Sequence, residues 1–401
     1  MKILVVSFYY EPEIGAAPNR ITNLVDGLRK HGNCVDVLTS LPNYPKGKIF
    51  EGYNKRFSMK EQSDGGTVFR YWTYATVSSN VIKRGLAMFS FSMVFWLFGF
   101  HISRIRQYDY VIVQTPPIVV PCSAIILFGK LFRKKVVINV SDLWPGSAIE
   151  LGYLDPSGFL CRLLFSMERF IYRNSVAVLG QSEEILARVK ELFPDKKTFL
   201  YRNLSPIVAE NVIERTGLIG EKLKIVYAGL LGVPQDILSL IKNIDFSKCG
   251  AELHLYGGGN QSSEIIREIE TGKAKSVFYH GILNKAELNA ELADYDVSLI
   301  ALSKSIRGAV PSKIFDILPL GLPILFEGDG EAAQIVLENG LGLVSSPSDY
   351  ENLANNISRF SKMGKEEINA FSQNCLRLSE NKFNFNKQMA DFDSFLSEEL
   401  S

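Results

Sequence analysis

Short apolar runs alternate with amphipathic stretches along most of the chain. In the first half, the runs with the character of buried strands are ILVVS, VDVLT, YVIVQT, VVINV and VAVLG; in the second half, they are KIVYAG, ELHLYGG, VFYHG, VSLIAL, PILFEG and LGLVS. Continuous apolar runs of this length are typical of strands that helices cover on both faces. Strand and helix patterns that alternate in this way predict parallel sheets in a doubly wound α/β fold.

The pattern divides into two runs of about five strands each, which predicts two Rossmann-like domains. Strand periodicity is lost near Asn203–Lys222, where we place the linker. No strand follows the helical patterns from Asp349 to the end, so we expect these helices to pack across the domains. The expected domains are residues 1–205, residues 206–380 and a final helix of residues 381–401, which packs on the N-terminal domain.

One segment departs from this rhythm because it is apolar over 16 residues, Gly85 to Phe100. It is shorter than the roughly 20 residues of a membrane-spanning helix. Two interpretations stay open: a buried core helix, or a helix that lies in a membrane interface and includes Trp96. The second is favoured by basic residues on either side of the segment and in the nearby GKLFRKK: Lys83, Arg84, Arg104, Arg106, Arg133 and Lys134.

Charge is distributed unevenly along the 401 residues. Residues 1–174 carry 21 Lys and Arg against 12 Asp and Glu, whereas the remainder carries 23 against 31. A basic N-terminal half is suited to phosphates, nucleic acid or an anionic membrane. The five cysteines are scattered and include no C-x-x-C pair, which favours a reducing compartment over disulfides or a zinc site. The N-terminus enters a strand at once, without the features of a secretory signal, so we expect a cytoplasmic protein.

Glycine-containing loops follow several predicted strands, at junctions where the free N–H groups of a helix start attract phosphate. Gly15 lies in YYEPEIGAAPNR, Gly229 and Gly232 lie in VYAGLLGVPQD, and Gly257 lies in YGGGN. Open α/β sheets bind ligands at the carboxyl ends of their strands, so two such loops in adjacent units predict a binding edge. A purely structural turn is the alternative for each glycine. No G-x-G-x-x-G is present, which disfavours a nicotinamide dinucleotide site.

A carboxylate and an aromatic ring follow another buried strand in VINVSDLWPGSAIELG. We expect Asp142 at the carboxyl end of this strand, facing any interdomain cleft. Trp144 beside it is an aromatic platform of the kind on which sugars stack. The structural alternative is that Ser141 or Asp142 caps a helix.

Ser312, Lys313 and Asp316 occupy a predicted helix N-terminus within the mostly apolar stretch GAVPSKIFDILPLGLPILF. Pro311 suits the first turn of this helix. A lysine is unfavourable where the helix dipole is positive, unless an anion such as a diphosphate is bound there. Asp316 lies on the same face one turn after Lys313, where its carboxylate can accept hydrogen bonds from a ribose diol. The alternative is a surface ion pair between Lys313 and Asp316.

The whole chain resembles the family 4 glycosyltransferases, which are retaining nucleotide-sugar transferases of the GT-B fold. The resemblance is carried, in order, by FYYEPEIGAAPNR, LPNYPKGKIFEGY, VSDLWPGSAIELG, YAGLLGVPQD, VPSKIFDILPLGLPIL and GEAAQIVLENGLGLV. Within the family, the chain is most similar to transferases of bacterial O-antigen and capsule synthesis, including N-acetylfucosamine transferases. The resemblance implies two Rossmann-like domains facing across a cleft, with C-terminal helices that cross back to the N-terminal domain.

The resemblance also implies a donor, typically a UDP-sugar, held mainly by the C-terminal domain. Asp316 matches the second acid of the E-x7-E motif, which binds the ribose hydroxyls. Ser312 and Lys313 match positions that contact the diphosphate and the sugar. Ile282 and Leu283 match positions whose backbone groups hold the base.

Other donor-site positions match the family less completely. Gly15 matches the N-terminal loop that approaches the donor phosphates, and Glu331 opens the helical segment after the motif. The first acid of the motif is replaced by Gly308, and GLLGVPQD lacks the basic pair that many members carry there. Charge neutralisation would then depend on Lys313, backbone N–H groups and Arg307.

The expected reaction is hexosyl transfer, with retention, from a nucleotide diphosphate to an acceptor hydroxyl. Such a site has to stabilise the leaving diphosphate and align the acceptor. Lys313 and Asp142 are the candidate catalytic residues; Asp142 lies near a position where other members place a polar residue facing the acceptor. No Asp-x-Asp motif is evident, so we expect neither a metal nor another cofactor.

A saccharide linked to a polyprenyl diphosphate is the acceptor that fits the basic N-terminal half and residues 85–100. The expected location is therefore the cytoplasm, with peripheral attachment to the anionic inner face of the cell membrane, and no nucleic acid is expected as partner. Two alternatives stay open: a sugar-nucleotide epimerase of the GT-B fold and a non-catalytic, membrane-associated assembly subunit.

Overall fold

A computed structural model describes residues 1–76, 81–98, 105–206 and 221–400. The chain forms two compact units, one of Met1–Asn203 with Phe385–Ser401 and the other of Leu204–Asn384. Most of the predicted linker lies outside the described residues, and so does Arg104.

The first unit contains eight strands: β1 (Lys2–Val6), β2 (Cys34–Ser40), β3 (Ser58–Ser63), β4 (Gly66–Tyr71), β5 (Tyr110–Thr115), β6 (Lys135–Val140), β7 (Ala177–Gly180) and β8 (Lys197–Leu200). They form one sheet in the order β3-β4-β2-β1-β5-β6-β7-β8. Only β3 is antiparallel to its neighbour; the other pairs among these strands are parallel.

Six helices of the first unit cover this sheet: α1 (Ala16–Lys30), α2 (Val81–Phe98), α3 (Val119–Ala124), α4 (Gly146–Glu150), α5 (Phe159–Asn174) and α6 (Glu183–Leu192). A π-helical turn, Ile125–Leu131, extends α3. The main core packs apolar residues of β1, β5, β6 and β7 against α2, α3 and α5. Helix α1 begins at Ala16, directly after Gly15.

The second unit is a six-stranded parallel sheet of β9 (Leu223–Ala228), β10 (Ala251–Tyr256), β11 (Val277–Gly281), β12 (Val297–Ala301), β13 (Ile324–Glu327) and β14 (Gly342–Ser345). The strand order is β11-β10-β9-β12-β13-β14. The order reverses between β9 and β12. A reversal of this kind is the place where open α/β sheets bind ligands.

The helices of the second unit are α7 (Ile237–Asn243), α8 (Ser262–Glu270), α9 (Lys285–Glu291), α10 (Ser312–Ile317), α11 (Gly330–Glu338), α12 (Tyr350–Phe360) and α13 (Lys365–Asn381). Its core is formed by the apolar residues of the central strands together with α7, α12 and neighbouring loops. Two doubly wound α/β sheets therefore confirm the predicted fold class, with eight and six strands where about five were expected in each.

The last helix, α14 (Phe385–Ser394), belongs to the first unit and packs on α1. A β-carbon at Gly27 would come within 2.7 Å of Met389, so this packing is close. The Gln388 side chain accepts from the Arg202 amide at 2.9 Å and donates to the Arg202 carbonyl at 3.0 Å. The hydroxyl of Tyr110 donates to the Leu396 carbonyl at 2.7 Å. The end of the chain is thus joined to both α1 and the sheet of the first unit.

Candidate functional site

Glycine-rich loops follow β9 and β10, and hydrogen bonds hold them beside each other and beside the end of β11. The Gly229 amide donates to the Tyr256 carbonyl at 2.8 Å, and the Gly257 amide donates to the Gly281 carbonyl at 2.7 Å. The backbone hydrogen bonds between neighbouring strands therefore continue into the loops at the carboxyl edge of the sheet. Gly229 and Gly257, which were both singled out in the sequence, lie in adjacent layers.

The layers approach each other so closely that Gly257 has no room for a side chain. Its φ is 129°, and a β-carbon there would overlap the carbonyl oxygen of Gly229. Gly232 is less constrained, because the atoms nearest to a β-carbon at that position are side-chain carbons of Leu230 at 3.4 Å. The close approach of the Gly229 backbone therefore requires glycine at position 257, whereas position 232 has room for a methyl group.

Lys313 extends from α10 to the carboxyl end of β9. Its Nζ lies 4.1 Å from the centroid of the Tyr227 ring. A β-carbon at Gly229, where φ is 154°, would overlap Nζ and Cε of Lys313. Burial lowers the pKa of the Lys313 ammonium to about 8, and the charge of Asp316 partly offsets this effect. Because α10 follows β12, this contact lies where the strand order reverses.

Ser312 and Asp316 lie with Lys313 on one short helix. Ser312 is the first residue of α10, Pro311 precedes it as the N-cap residue, and both predicted polar residues are partly buried. Arg307 is exposed on the loop between β12 and α10. Gly308, which replaces the first motif acid, is buried and has a φ of 80°.

Ile282 and Leu283 directly follow β11. The Ile282 side chain is 76% exposed, and its Cδ1 would lie 2.9 Å from a β-carbon at Gly258. It therefore covers the glycine loop that follows β10. Leu283 is partly buried. Their backbone forms the outermost layer of the carboxyl edge.

Two acids lie close to the carboxyl end of β13. Glu331 is buried in the first turn of α11. Glu327, the last residue of β13, is 1% exposed and accepts from the Ser348 amide at 2.9 Å. Burial raises the pKa of the Glu327 carboxyl to about 7, the Ser348 amide opposes this shift, and the charge of Asp236 adds to it. Sequence reasoning did not single out Glu327, although a glutamate ending an apolar strand was the available signal.

The loop of Gly15 in the first unit is fixed by a buried carboxylate, Glu13. Its carboxylate accepts from the amides of Asn43 and Tyr44 at 2.8 Å and from the Tyr10 amide at 3.2 Å. Gly15 itself is the N-cap residue of α1, and a β-carbon there would lie 3.0 Å from the Tyr44 ring. Glu13 was also not singled out from the sequence, because its burial depends on a loop about thirty residues away in the chain.

Asp142 lies two residues after β6, at the carboxyl edge of the first sheet. Its burial raises the pKa of the carboxyl, and the guanidinium of Arg20 opposes the shift. Arg20 is itself buried and donates to Asn139 at 2.6 Å. The helix-capping alternative for Ser141 and Asp142 is wrong, because α4 begins at Gly146 after Pro145.

The residues predicted to face a membrane differ in exposure. Lys83, Arg106 and Arg133 are exposed. Trp96 and Trp144 are partly buried against the core of the first unit. Only the backbone of Arg84 is described. The Lys134 ammonium donates to the carbonyls of Arg106 at 2.7 Å and Tyr108 at 2.9 Å, so it stabilises the chain before β5.

Helix α2 packs into the core on one side and exposes apolar residues on the other. One side of the helix carries buried residues, among them Phe91, Val94 and Phe95, which pack into the core. The other side is also apolar but exposed, and consists of Leu86, Phe89, Met93 and Leu97, which are 46–62% accessible. We call these four residues the α2 outer face.

Two features are absent from the described part of the chain. None of its helices is both long and apolar enough to cross a bilayer. Across the same ranges, no three or more His, Cys, Asp or Glu side chains are grouped so that they could hold a metal ion.

Residues 15–201 match the family model of a glycosyl transferase 4-like domain. No curated protein matches the sequence. Among solved structures, a sucrose-phosphate synthase from Thermosynechococcus elongatus superposes with a TM-score of 0.70 at 14% identity, covering 98% of each chain. HepE of Anabaena, solved in complex with UDP, gives a TM-score of 0.67 at 14% identity over 99% of this chain and 100% of its own.

WaaG, a glycosyltransferase involved in lipopolysaccharide biosynthesis, gives a TM-score of 0.62 at 12% identity and covers 99% of this chain and 100% of its own. At these identities the likeness concerns the fold. Residues 15–201 are thus similar to a glycosyl transferase 4-like domain, and the full length has the fold of the GT-B glycosyltransferases.

Proposed function

We propose that this chain, with its glycosyl transferase 4-like domain and GT-B fold, is a retaining glycosyltransferase of surface polysaccharide synthesis, such as O-antigen or capsule. Its donor would be a UDP-sugar, for example a UDP-N-acetylamino sugar. Its acceptor would be a saccharide linked to a polyprenyl diphosphate. The second unit holds the donor and the first unit contacts the acceptor.

The observation that carries this proposal is the position of the Lys313 ammonium against Gly229, where the strand order of the second sheet reverses. A buried cation is costly unless an opposite charge compensates it. Asp316 offsets only part of this cost, so burial still lowers the pKa of Lys313. A diphosphate beside Lys313 would supply the missing negative charge.

The neighbouring residues fit the remaining parts of a UDP-sugar. Asp316 would accept hydrogen bonds from the ribose hydroxyls, and the backbone of Ile282 and Leu283 would hold the base. Ser312 and Arg307 lie on the same segment as Lys313 and would contact the diphosphate and sugar. The similarly folded HepE, solved with UDP and with UDP-glucose, favours a uridine nucleotide.

The chemistry requires one bond exchange at the anomeric carbon. The bond from this carbon to the diphosphate oxygen breaks, and a bond to the acceptor oxygen forms on the same face of the sugar. The departing phosphate can take the acceptor proton, so that UDP leaves and no separate base is needed. Lys313 would stabilise the charge on the leaving group, without a metal. Asp142 and Trp144 would contact the acceptor.

Membrane attachment is proposed for the α2 outer face. An exposed apolar helix face flanked by cations is typical of a helix that lies in the interface of an anionic membrane. Lys83, Arg106 and Arg133 supply exposed positive charge near this helix in the chain. The protein would then work at the cytoplasmic side of the membrane that carries its lipid-linked acceptor.

Calorimetric titration with UDP, GDP and NAD tests the donor site. We expect UDP to bind, and Asp316→Ala to weaken it by about 1–3 kcal/mol, the scale of a lost carboxylate hydrogen-bond partner. Glu338→Ala, which removes an exposed acid at the end of α11, should leave UDP affinity unchanged. A protein that binds neither UDP nor GDP, or an Asp316→Ala variant that binds UDP normally, would contradict the proposal.

A further inference from the structure

A surface pocket of about 300 Å³ in the first unit has no role in the donor site. Its lining includes Leu41, Tyr53, Lys55, Arg56, Phe57 and Trp72. We call it the hairpin pocket, because Phe57 and Trp72 are the residues at the open end of the β3–β4 hairpin. The Trp72 amide donates to the Phe57 carbonyl at 2.8 Å and so closes this end.

The hairpin pocket lies at the carboxyl edge of the first sheet. Leu41 follows β2 and Trp72 follows β4, and these two strands are parallel. The Leu41 amide donates to the Tyr71 carbonyl at 2.8 Å, which holds the two strand ends together. Since parallel α/β sheets bind ligands at this edge, the pocket is placed where a substrate is expected.

Aromatic side chains form one side of the hairpin pocket. The Phe57 and Trp72 rings are nearly parallel, at an interplanar angle of 12°, with centroids 6.4 Å apart. Phe57 is 47% exposed, so part of its ring is accessible to a ligand. Aromatic surface of this kind suits the apolar face of a sugar ring.

Positive charge surrounds the aromatic wall. Lys55 and Arg56 are exposed, and neither forms an ion pair with any residue that the structure describes. Lys55 has a φ of 62°, a conformation that costs free energy for a residue with a side chain and that clusters at binding sites. The segment 41–57 contains four cations and a single carboxylate, Glu51. The pocket is therefore suited to an anion.

The segment after the hairpin pocket is bonded to α2. Thr73 donates from its hydroxyl to the Ala87 carbonyl at 2.9 Å, and the Tyr74 amide donates to the Ser90 hydroxyl at 2.9 Å. Trp72 in the pocket is therefore directly followed by a residue bonded to the helix that carries the exposed apolar face. An amphipathic molecule with an anionic saccharide head and an apolar tail would match both surfaces.

We propose that the hairpin pocket binds the phosphate-bearing saccharide head of the acceptor, with Lys55 and Arg56 on the phosphate and the Phe57–Trp72 wall on the sugar. This inference rests on the proposed function and assigns a site to its acceptor. The same head chemistry occurs in a prenyl-linked saccharide and in a soluble sugar phosphate, so the experiment has to include both.

The probes are a short-chain prenyl diphosphate N-acetylglucosamine and free N-acetylglucosamine 1-phosphate. Each is titrated into the full chain, with tryptophan fluorescence as readout because Trp72 lines the pocket. In Lys55→Ala/Arg56→Ala we expect binding at least about tenfold weaker, since two charge-assisted contacts are lost. Lys46→Ala/Lys48→Ala is the matched control: it removes the same charge from the same loop but outside the pocket.

The two probes distinguish the sources of the ligand. Tighter binding of the prenyl-linked probe supports a lipid-linked acceptor at the pocket, and equal binding supports the pocket with a soluble sugar phosphate as ligand. Because Trp72→Leu and Trp72→Phe both remove the fluorescent reporter, these two variants are titrated by calorimetry. Trp72→Leu, which keeps an apolar side chain, should weaken binding of the sugar phosphate more than Trp72→Phe does. The proposal is overturned if wild type binds neither probe, or if Lys55→Ala/Arg56→Ala binds them as tightly as wild type or no more weakly than the lysine control.

UDP titration of the same proteins separates this inference from the proposed function. UDP should bind wild type and Lys55→Ala/Arg56→Ala equally, because the donor residues lie in the second unit. If UDP binds normally but Lys55→Ala/Arg56→Ala does not change the affinity for the acceptor probes, only the hairpin-pocket proposal is contradicted. If wild type does not bind UDP, the proposed function is contradicted, whatever the probes show.

Discussion

The ammonium of Lys313 occupies the space that a side chain at Gly229 would fill. A β-carbon at residue 229 would overlap both Nζ and Cε of the lysine. Glycine at this position thus allows the Lys313 ammonium of α10 to reach the end of β9. The pair lies where the strand order reverses, which makes it the centre of the proposed donor site.

Gly229→Ala should therefore impair UDP binding by displacing Lys313. The added methyl group moves the ammonium away from the β9 end, so we expect affinity for UDP to fall about tenfold or more, the scale of one lost charge-assisted contact. Gly232→Ala is the control in the same loop, because its β-carbon would make only ordinary contacts, with Leu230 at 3.4 Å and Asn260 at 3.5 Å. Calorimetry on both variants checks this expectation; equal UDP affinity in the two would argue against it.

UDP affinity should depend on pH through Lys313. Burial lowers the pKa of this ammonium to about 8 in the unliganded protein, and a bound diphosphate favours the charged form. Above pH 8, binding must therefore be accompanied by proton uptake, and affinity should fall about tenfold between pH 7 and pH 9. Titrations across this range test the effect, with Lys313→Met expected to show no such dependence. A flat wild-type profile would mean that Lys313 does not contact the diphosphate.

Glu327→Gln should stabilise the protein at alkaline pH. The pKa of this buried carboxyl is raised from 4.5 to about 7, so between these values the folded state holds a proton that the unfolded state has released. Stability is therefore lost as pH rises through this window. Glutamine keeps an acceptor for the Ser348 amide without the charge, which should raise the free energy of unfolding at pH 8 by about 1–3 kcal/mol.

Urea denaturation of Glu327→Gln at pH 5 and pH 8 provides the measurement. The difference from wild type should be small at pH 5, where the native carboxyl is protonated, and should appear at pH 8. Glu338→Gln, at an exposed position on α11, is the control. The same difference at both pH values would show that charge burial is not its cause.

The α2 outer face should govern binding to anionic vesicles. Changing Leu86, Phe89, Met93 and Leu97 to glutamine removes four exposed apolar side chains, each contributing about 1 kcal/mol or more to partitioning. Cosedimentation with vesicles should then fall by more than about tenfold. Leu337→Gln, at a 59% exposed leucine of the second unit, should leave it unchanged. If the four changes leave vesicle binding unaffected, the α2 outer face does not bind the membrane.

The apolar runs of the central strands could be predicted because both faces of these strands are buried, whereas the run of β11, at the sheet edge, leaves Phe278 and His280 exposed. All of these runs lie in strands of the two sheets. The strands that escaped prediction are β3, β4 and β8. SMKEQS in β3 alternates between exposed and half-buried residues at the sheet margin, and KTFL in β8 is only four residues long. Neither pattern is distinct from a loop in the sequence.

The sequence allowed some residues of the candidate site to be proposed from their chemistry, but not the contacts between them. The unusual position of Lys313 in an apolar stretch indicated a buried anion site from the sequence alone. Its partner Gly229 lies in the loop after β9, and only strand order brings the two together. Glu13 and Glu327 could not be identified, because their burial depends on amides supplied by Asn43 and Ser348 from distant loops.

The central claim is that Lys313 contacts the donor diphosphate, and the most direct measurement compares UDP with UMP on wild type and Lys313→Met. The lysine should favour the second phosphate, so wild type should bind UDP at least about tenfold more tightly than UMP, a difference of 1.4 kcal/mol or more. Lys313→Met should lose most of this preference while retaining affinity for UMP. If the preference for UDP over UMP is the same in both proteins, Lys313 does not bind the diphosphate and the account is wrong.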